Sequence, residues 1–265
     1  MLAFLTPQNK SLLRQLVITD FKLRYQGSVL GYFWSLLKPL LLFGVLYGVF
    51  TYVLPLGKGV PHYPAYLLLG VVLWNFFVEA TNMGMGSIIG RGDMVRKVKI
   101  SKPSIVIASI LSACVNLGFN LIVVGFFMII TGVQIQPVVV FLPVILIELV
   151  ALALALSFFL SALYVRFRDI APIWEVVLQV MFYATPIIYP MTLVPVRLRG
   201  FLMLNPIAQI VQDAREMLVT PATITAHEVL PFWLSVIVPC VVLGLLTVAS
   251  VLFFKKSAKS FAENL

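Results

Sequence analysis

Charge in this chain is confined to a few places, and that confinement limits what it can fold into more than any motif does. Of nineteen Lys and Arg residues, fifteen lie in four short stretches. These are residues 1–38 (Lys10, Arg14, Lys22, Arg24, Lys38), 91–102 (Arg91, Arg96, Lys97, Lys99, Lys102), 166–168 (Arg166, Arg168) and 255–259 (Lys255, Lys256, Lys259). Long, almost uncharged apolar runs separate them, which is the pattern of a polytopic membrane protein, and the positive-inside rule turns all four stretches to the cytoplasm. Lys58, Arg197, Arg199 and Arg215 fall in the alternating segments. A chain that is 61% apolar and only 11% charged has too much apolar surface to hide in a soluble globule. Its formal charge of +9 is concentrated at membrane edges, where anionic lipid rather than nucleic acid is the partner.

About twenty apolar residues span a bilayer as a helix, and six stretches qualify: Leu36 to Leu54, Tyr66 to Ile89, Ser104 to Thr131, Val138 to Val165, Ile170 to Tyr189 and Leu230 to Phe254. The expected fold is all-α, a single membrane domain over residues 1–265 with both termini cytoplasmic. Residues 1–35 form a cytoplasmic amphipathic region, 36–254 a six-span bundle and 255–265 a cytoplasmic tail. The N-terminus shows no cleavable signal peptide. Cys114 and Cys240 lie in apolar segments, and no metal-ligand spacing is present.

Two segments that do not span carry further information. Ser11 to Gln26 reads as an amphipathic helix with Leu12, Leu13, Leu16, Val17, Phe21 and Leu23 on one face. Asp20 and Arg24 fall within that face at i,i+4, either pairing to lock a docked helix or snorkelling to headgroups. Between spans five and six, Asn205 is placed to cap a helix with Pro206 at its first position, and Ile207, Ile210, Val211, Ala214 and Leu218 form its apolar stripe. This helix either dips into the outer leaflet or covers the helix ends.

Ionisable residues inside spans cost roughly 2.5–3.5 kcal/mol on insertion scales and are functional candidates. Asn75, Glu79 and Asn82 stripe the second span, and Glu175, Gln179 and Tyr183 the fifth. Each stripe either lines a path or holds helices together. Phe43 and Tyr47 on the first span offer stacking surfaces for sugars or for other rings. Gly44 and Gly48 form a GxxxG. Glu148 stands alone. No phosphate-binding loop of the G-x-x-x-x-G-K-[ST] type and no His-Glu-x-x-His occurs, so neither ATP binding of that kind nor a catalytic site is expected in this chain.

Several ordered motifs resemble one family. They are Asp20-Phe21-Lys22-Leu23-Arg24-Tyr25 followed by Gly27 to Gly31 and Trp34 to Pro39, Trp74-Asn75-Phe76-Phe77 with Glu79, and Arg96-Lys97-Val98 running to Lys102-Pro103. Arg166-Phe167-Arg168-Asp169-Ile170, Thr185-Pro186-Ile187 and Asn205-Pro206 complete the series. Together these resemble the membrane permease subunit of ABC-2 type polysaccharide exporters, which move O-antigen, capsule or teichoic-acid chains.

The resemblance implies a homodimer in a bacterial cytoplasmic (inner) membrane with two copies of a separate ATPase subunit. ATP and Mg belong to that partner, and this chain needs no cofactor of its own. It implies an interface helix over residues 11–26 and docking through Asp20, Arg24, Arg96, Lys97, Lys99, Lys102, Arg166, Arg168 and Asp169. Lys22 and Arg24 are then candidates for a lipid pyrophosphate. Phe43, Tyr47, Glu79, Asn82, Gln179 and Tyr183 are candidates for a glycan path, and Asn205, Pro206, Ile210 and Arg215 for an external gate. Two other transport readings stay open. An ABC-2 drug or small-lipid exporter would show a vestibule lined by Leu and Val, and a secondary transporter would carry protons on Glu79 or Glu175, although no inverted repeat is visible. A scaffold without transport would show no substrate-dependent ATPase activity.

Overall fold

The computed structural model describes residues 7–25, 31–54, 57, 59–97 and 101–261. Among these residues every regular element is helical. Helix α1 (Pro7–Tyr25) precedes α2 (Trp34–Gly48), which runs on as a π-helical turn over Val49–Val53. Then come α3 (Tyr63–Gly86), α4 (Gly92–Lys97), α5 (Lys102–Ile130), α6 (Leu142–Arg166) and α7 (Ile170–Ala184). Short helices α8 (Val196–Leu202), α9 (Pro206–Leu218) and α10 (Ala226–Val229) lead to α11 (Phe232–Ser257). Five helical segments are long and apolar enough to cross a membrane: Leu36–Val53, α3, Pro137–Arg166 (which includes α6), α5 and α11. The chain is a multi-pass membrane protein.

The fifth expected crossing differs. Its helix, α7, has 15 residues, about 22 Å at 1.5 Å per residue, shorter than the roughly 30 Å hydrocarbon layer. Pro186 explains the early end: its ring disfavours helical geometry at the residue before it, and Thr185 adopts φ −101°, ψ 138°.

Helix α3 is the hub. Its apolar residues lie on every side, the composition of a helix buried all round, and it packs against α2, α5, α6, α7 and α9. Two glycines permit the closest approaches. A Cβ on Gly84 would sit 2.3 Å from Ser157 Oγ of α6, and one on Gly70 2.3 Å from Arg215 Nη2. A Cβ on Gly44 or Gly48 would meet nothing within 4 Å among the described residues, so the GxxxG makes no close helix approach there. Helix α7 is seated on α3 by rings: Trp74 lies 5.8 Å from Phe182 and Phe77 6.4 Å from Trp174. Trp174 Nε1 also donates to Thr81 Oγ1 at 3.2 Å. Trp174 and Leu178 are the buried face of α7.

At the end away from the Arg91 and Arg166 clusters, α9 is capped as its sequence requires. Asn205 Oδ1 accepts from Ile207 N at 3.0 Å, Pro206 occupies the first turn, and the stripe from Ile207 to Leu218 is buried against α3 and α6. The helix therefore covers helix ends.

Arg215 on α9 has no exposed surface. Its guanidinium donates to the carbonyls of Tyr66 (3.0 Å), Pro186 (2.6 Å) and Ile187 (2.5 Å) and to Gln212 Oε1 (2.9 Å), and it lies 3.7 Å from the centroid of the Tyr66 ring. Tyr63 OH donates to the next carbonyl, that of Ile188, at 3.1 Å. The carbonyls freed where α7 breaks would otherwise be unpaired in an apolar surrounding, so this cluster replaces the missing helical hydrogen bonds. Burial lowers the Arg215 pKa, and Tyr66 and Tyr63 oppose that shift.

Arg215→Lys keeps a charge but loses the fork that reaches several carbonyls. Each carbonyl left unpaired costs about 1–3 kcal/mol, so the apparent unfolding midpoint in lipid nanodiscs should fall by several degrees. Gly70→Ala should act in the same direction by displacing the guanidinium. Midpoints unchanged in both variants would contradict this role for the clamp.

Candidate functional site

The polar stripe on α3 opens into a cavity. Asn75, Glu79 and Asn82 line a space of 460 Å³ between α2, α3 and α5, together with Trp34 and Lys38 of α2 and Asn116 and Asn120 of α5. Its size is within the usual range for small-molecule sites, about 300–1,000 Å³. Asn116 Nδ2 donates to Glu79 Oε1 at 2.5 Å, and Asn120 Nδ2 donates to the Asn116 carbonyl at 2.8 Å. Asn116 is 2% exposed, and its Oδ1 is buried without a hydrogen-bond partner. Along α3, Asn82 lies about 28 Å from Tyr63, which places this polar column in the half of the span nearer the Arg91 cluster.

The other residues expected on a path lie elsewhere. Phe43 is buried, stacked on Tyr47 at 5.7 Å and edge-on to Phe127 of α5 at 5.3 Å. Glu175, Gln179 and Tyr183 lie on the exposed face of α7, opposite Trp174 and Leu178. The structure therefore separates one polar cavity, open on the side of the exposed Trp34, Lys38 and Asn82, from one exposed polar stripe.

At the basic end, Leu16 of α1 is buried and the helix packs on α5. The side chains of Lys22, Arg24 and Lys97, and Lys99 as a whole, lie outside the described residues, so the pairing of Asp20 with Arg24 lies outside them too. Asp20 is paired with Arg91, 71 positions away, which ties α1 to the segment preceding α4. Arg96, Arg166, Arg168 and Asp169 are exposed, and Arg91, Arg96 and Arg168 border an open cleft of 430 Å³ with Asp93. Lys102 is turned inward instead: its amine donates to the Ala258 carbonyl and lies 5.4 Å from the Phe261 ring centroid. Phe261 is buried against Phe254, so the last described turn is latched to the start of α5.

Among the gate residues, Asn205 also donates to Thr185 Oγ1 at 3.0 Å, while Ile210 and Arg215 are fully buried. Any movement of α9 must break the Arg215 cluster. Asn116, Asn120, Trp34 and Lys38 were missed as cavity residues. The i,i+4 spacing of Asn116 and Asn120 in an apolar span is the same kind of signal that marked Asn75 and Glu79.

A helical membrane protein with a polar cavity between its helices and a basic face at one end has the build of a transport permease. Residues 11–219 match the family model described as ABC-2 type transporter, and the chain belongs to that family. It is similar to the O-antigen export system permease protein RfbA of Klebsiella pneumoniae, with 26% identity over 93% of this chain and 92% of that protein. The protein of the same name from Myxococcus xanthus is 30% identical over 77% of this chain and 78% of its own length. The polysialic acid transport protein KpsM of Escherichia coli is 21% identical over 76% and 78%.

Glu148 of α6, isolated in the sequence, gains a neighbour. The Asp213 carboxyl on α9 is pushed up to about 7, mainly by burial and further by the nearby carboxylates of Glu216 and Glu148. The folded protein therefore keeps a proton on Asp213 that the unfolded chain loses near 3.8. Stability from this group is full below that value and is lost as pH rises through about 7. Asp213→Asn should remove this contribution. At about pH 8 the variant should unfold at a higher temperature than the parent protein, with the difference shrinking toward about pH 5. A difference that does not vary with pH would contradict the assignment.

Proposed function

We propose that the chain is the permease subunit of an ATP-driven exporter of lipid-linked polysaccharide. The observation that carries this reading is the match over nearly the full length of chain and relative to permeases named for O-antigen export. The family resemblance supplies an expectation of a homodimer with two ATPase subunits that bind ATP and Mg, in a bacterial cytoplasmic membrane with both termini inside. The basic ends support this orientation through the positive-inside rule.

Two surfaces support the partner assignments. The exposed Arg96, Arg166, Arg168 and Asp169, beside the α1 helix tied down through Asp20 and Arg91, fit the docking face for the ATPase. Glu175, Gln179 and Tyr183 give α7 a polar face that lipid would penalise, and a second copy of the chain facing a hydrated path would cover it. In this reading Phe43 and Tyr47 flank the path, Lys22 and Arg24 meet the lipid pyrophosphate at the cytoplasmic leaflet, and Asn205, Pro206, Ile210 and Arg215 frame the external gate.

Co-purification with the products of neighbouring genes should yield a stoichiometric ATPase, and lipid-linked glycan should stimulate its hydrolysis of ATP. A chain that purifies without an ATPase, or a complex indifferent to glycan lipid, would overturn the proposal.

A further inference from the structure

Beyond its last lysine, Lys259, the chain turns back on the bundle. Helix α11 ends at Ser257, and Lys255, Lys256 and Lys259 are exposed, so this stretch lies where the protein meets water and headgroups. The interface itself accommodates aromatic rings, yet Phe261 is 1% exposed. Ala258 N donates to the Phe254 carbonyl at 2.7 Å, and Ser260 donates to the Ser257 carbonyl from its amide and from its hydroxyl, each at 3.1 Å. These turns carry the Phe261 ring edge-on to Phe254 at 5.4 Å, and Phe254 lies edge-on to Phe158 of α6 at 5.0 Å.

Lys102 fastens the turn. As the first residue of α5 its charge opposes the dipole of that helix, whose N-terminal end is positive. Its amine reaches instead to the carbonyl of Ala258, the residue that caps the C-terminal end of α11, where the dipole is negative. It also lies 5.4 Å from the Phe261 ring centroid, a cation over an aromatic face.

What this turn completes is an apolar pad beneath the basic face. Ile88, Ile105, Phe158, Val165, Phe254 and Phe261 are buried in one cluster, and Val95 of α4 packs against it. Helix α4 has only six residues, against the roughly 12–15 that an isolated helix needs to persist in water, so its position depends on that packing. Its Arg96 is exposed, and Val165 directly precedes the exposed Arg166. The two basic segments proposed to meet the ATPase therefore stand on the same pad.

We propose that the C-terminal turn is a positioning device for ATPase docking: Phe261 completes the pad that sets α4 in register with the segment 166–169, and Lys102 holds the turn in place. This rests on the proposed partnership with an ATPase and assigns to the end of the chain the task of keeping the docking face in shape. Phe261 acts through α4 and, being buried, presents no surface to the partner.

The test reads hydrogen exchange in the full-length permease in lipid nanodiscs, and the titration of that permease with the ATPase that co-purifies with it. Phe261→Ala should speed exchange in residues 89–97 about tenfold and leave residues 206–218, at the opposite end, unchanged. The ATPase concentration for half-maximal assembly should rise by a similar factor. Phe261→Leu refills most of the space and should stay within about threefold of the parent protein in both readings. Lys102→Met keeps an apolar stem and removes the donor, so it should shift both readings in the same direction as the alanine variant. It supplies the same test should Phe261→Ala fail to assemble.

Exchange in residues 89–97 that neither variant changes, or equal acceleration there and in residues 206–218, would overturn the inference. Faster exchange in residues 89–97 with an unaltered ATPase titration would overturn it as well. A parent permease that no ATPase binds would instead remove the export reading on which the docking role rests, and the exchange comparison would still show whether the turn holds α4.

Discussion

The guanidinium of Arg215 holds together the end of the molecule where the fold is least regular. Pro186 stops α7 short of a full crossing, and the carbonyls of Pro186 and Ile187 are left without helical donors. A membrane offers no water to replace those donors. One arginine on a separate helix supplies them and also takes the Tyr66 carbonyl on α3, so three elements are fixed by a single side chain. Gly70 is part of the same device because any larger residue would occupy the guanidinium's space. The arginine has charge-assisted hydrogen bonds and a ring face in place of a carboxylate partner, an arrangement that suits its flat, multidentate donor set better than lysine's point charge.

With that end fixed, polar chemistry inside the bundle divides in two. The cavity lies between α2, α3 and α5, and the α7 stripe is exposed, because Trp174, Leu178 and Phe182 use another side of α7 to dock on α3. The polar sets on α3 and α7, both among the residues that the family resemblance assigns to a glycan path, are separate surfaces of the subunit. The pair of Asp20 and Arg91 links the amphipathic helix α1 to the segment preceding α4 at the basic end.

The length of apolar runs revealed five of the six expected spans, and spacing within one helix revealed the buried stripe of α9, its Asn205 cap and the polar column on α3. Contacts between helices were not visible in that way. Arg24 stands one turn from Asp20 in the chain, yet the described partner of Asp20 is Arg91. Lys102 reads as a docking cation, but the C-terminal turn folds back to take its amine. The GxxxG at Gly44 and Gly48 suggests close packing, whereas the close approaches occur at Gly70 and Gly84, which carry no such repeat. Arg215 is a gate candidate in the sequence, and its contacts to the carbonyls around Pro186 come from segments about thirty residues away, which spacing within one helix does not show. Asn116 and Asn120 were within reach of the same spacing argument that found Asn75 and Glu79.

Export itself is the central claim, and vectorial movement tests it most directly. The permease and its ATPase would be reconstituted in sealed vesicles loaded internally with a glycosidase specific for the glycan, with ATP and lipid-linked glycan added outside. Glycan cleavage that requires ATP, and that stops when the ATPase is inactivated, is the result this account predicts. Glycan that stays intact despite active hydrolysis of ATP, or that is cleaved equally without ATP, would contradict it.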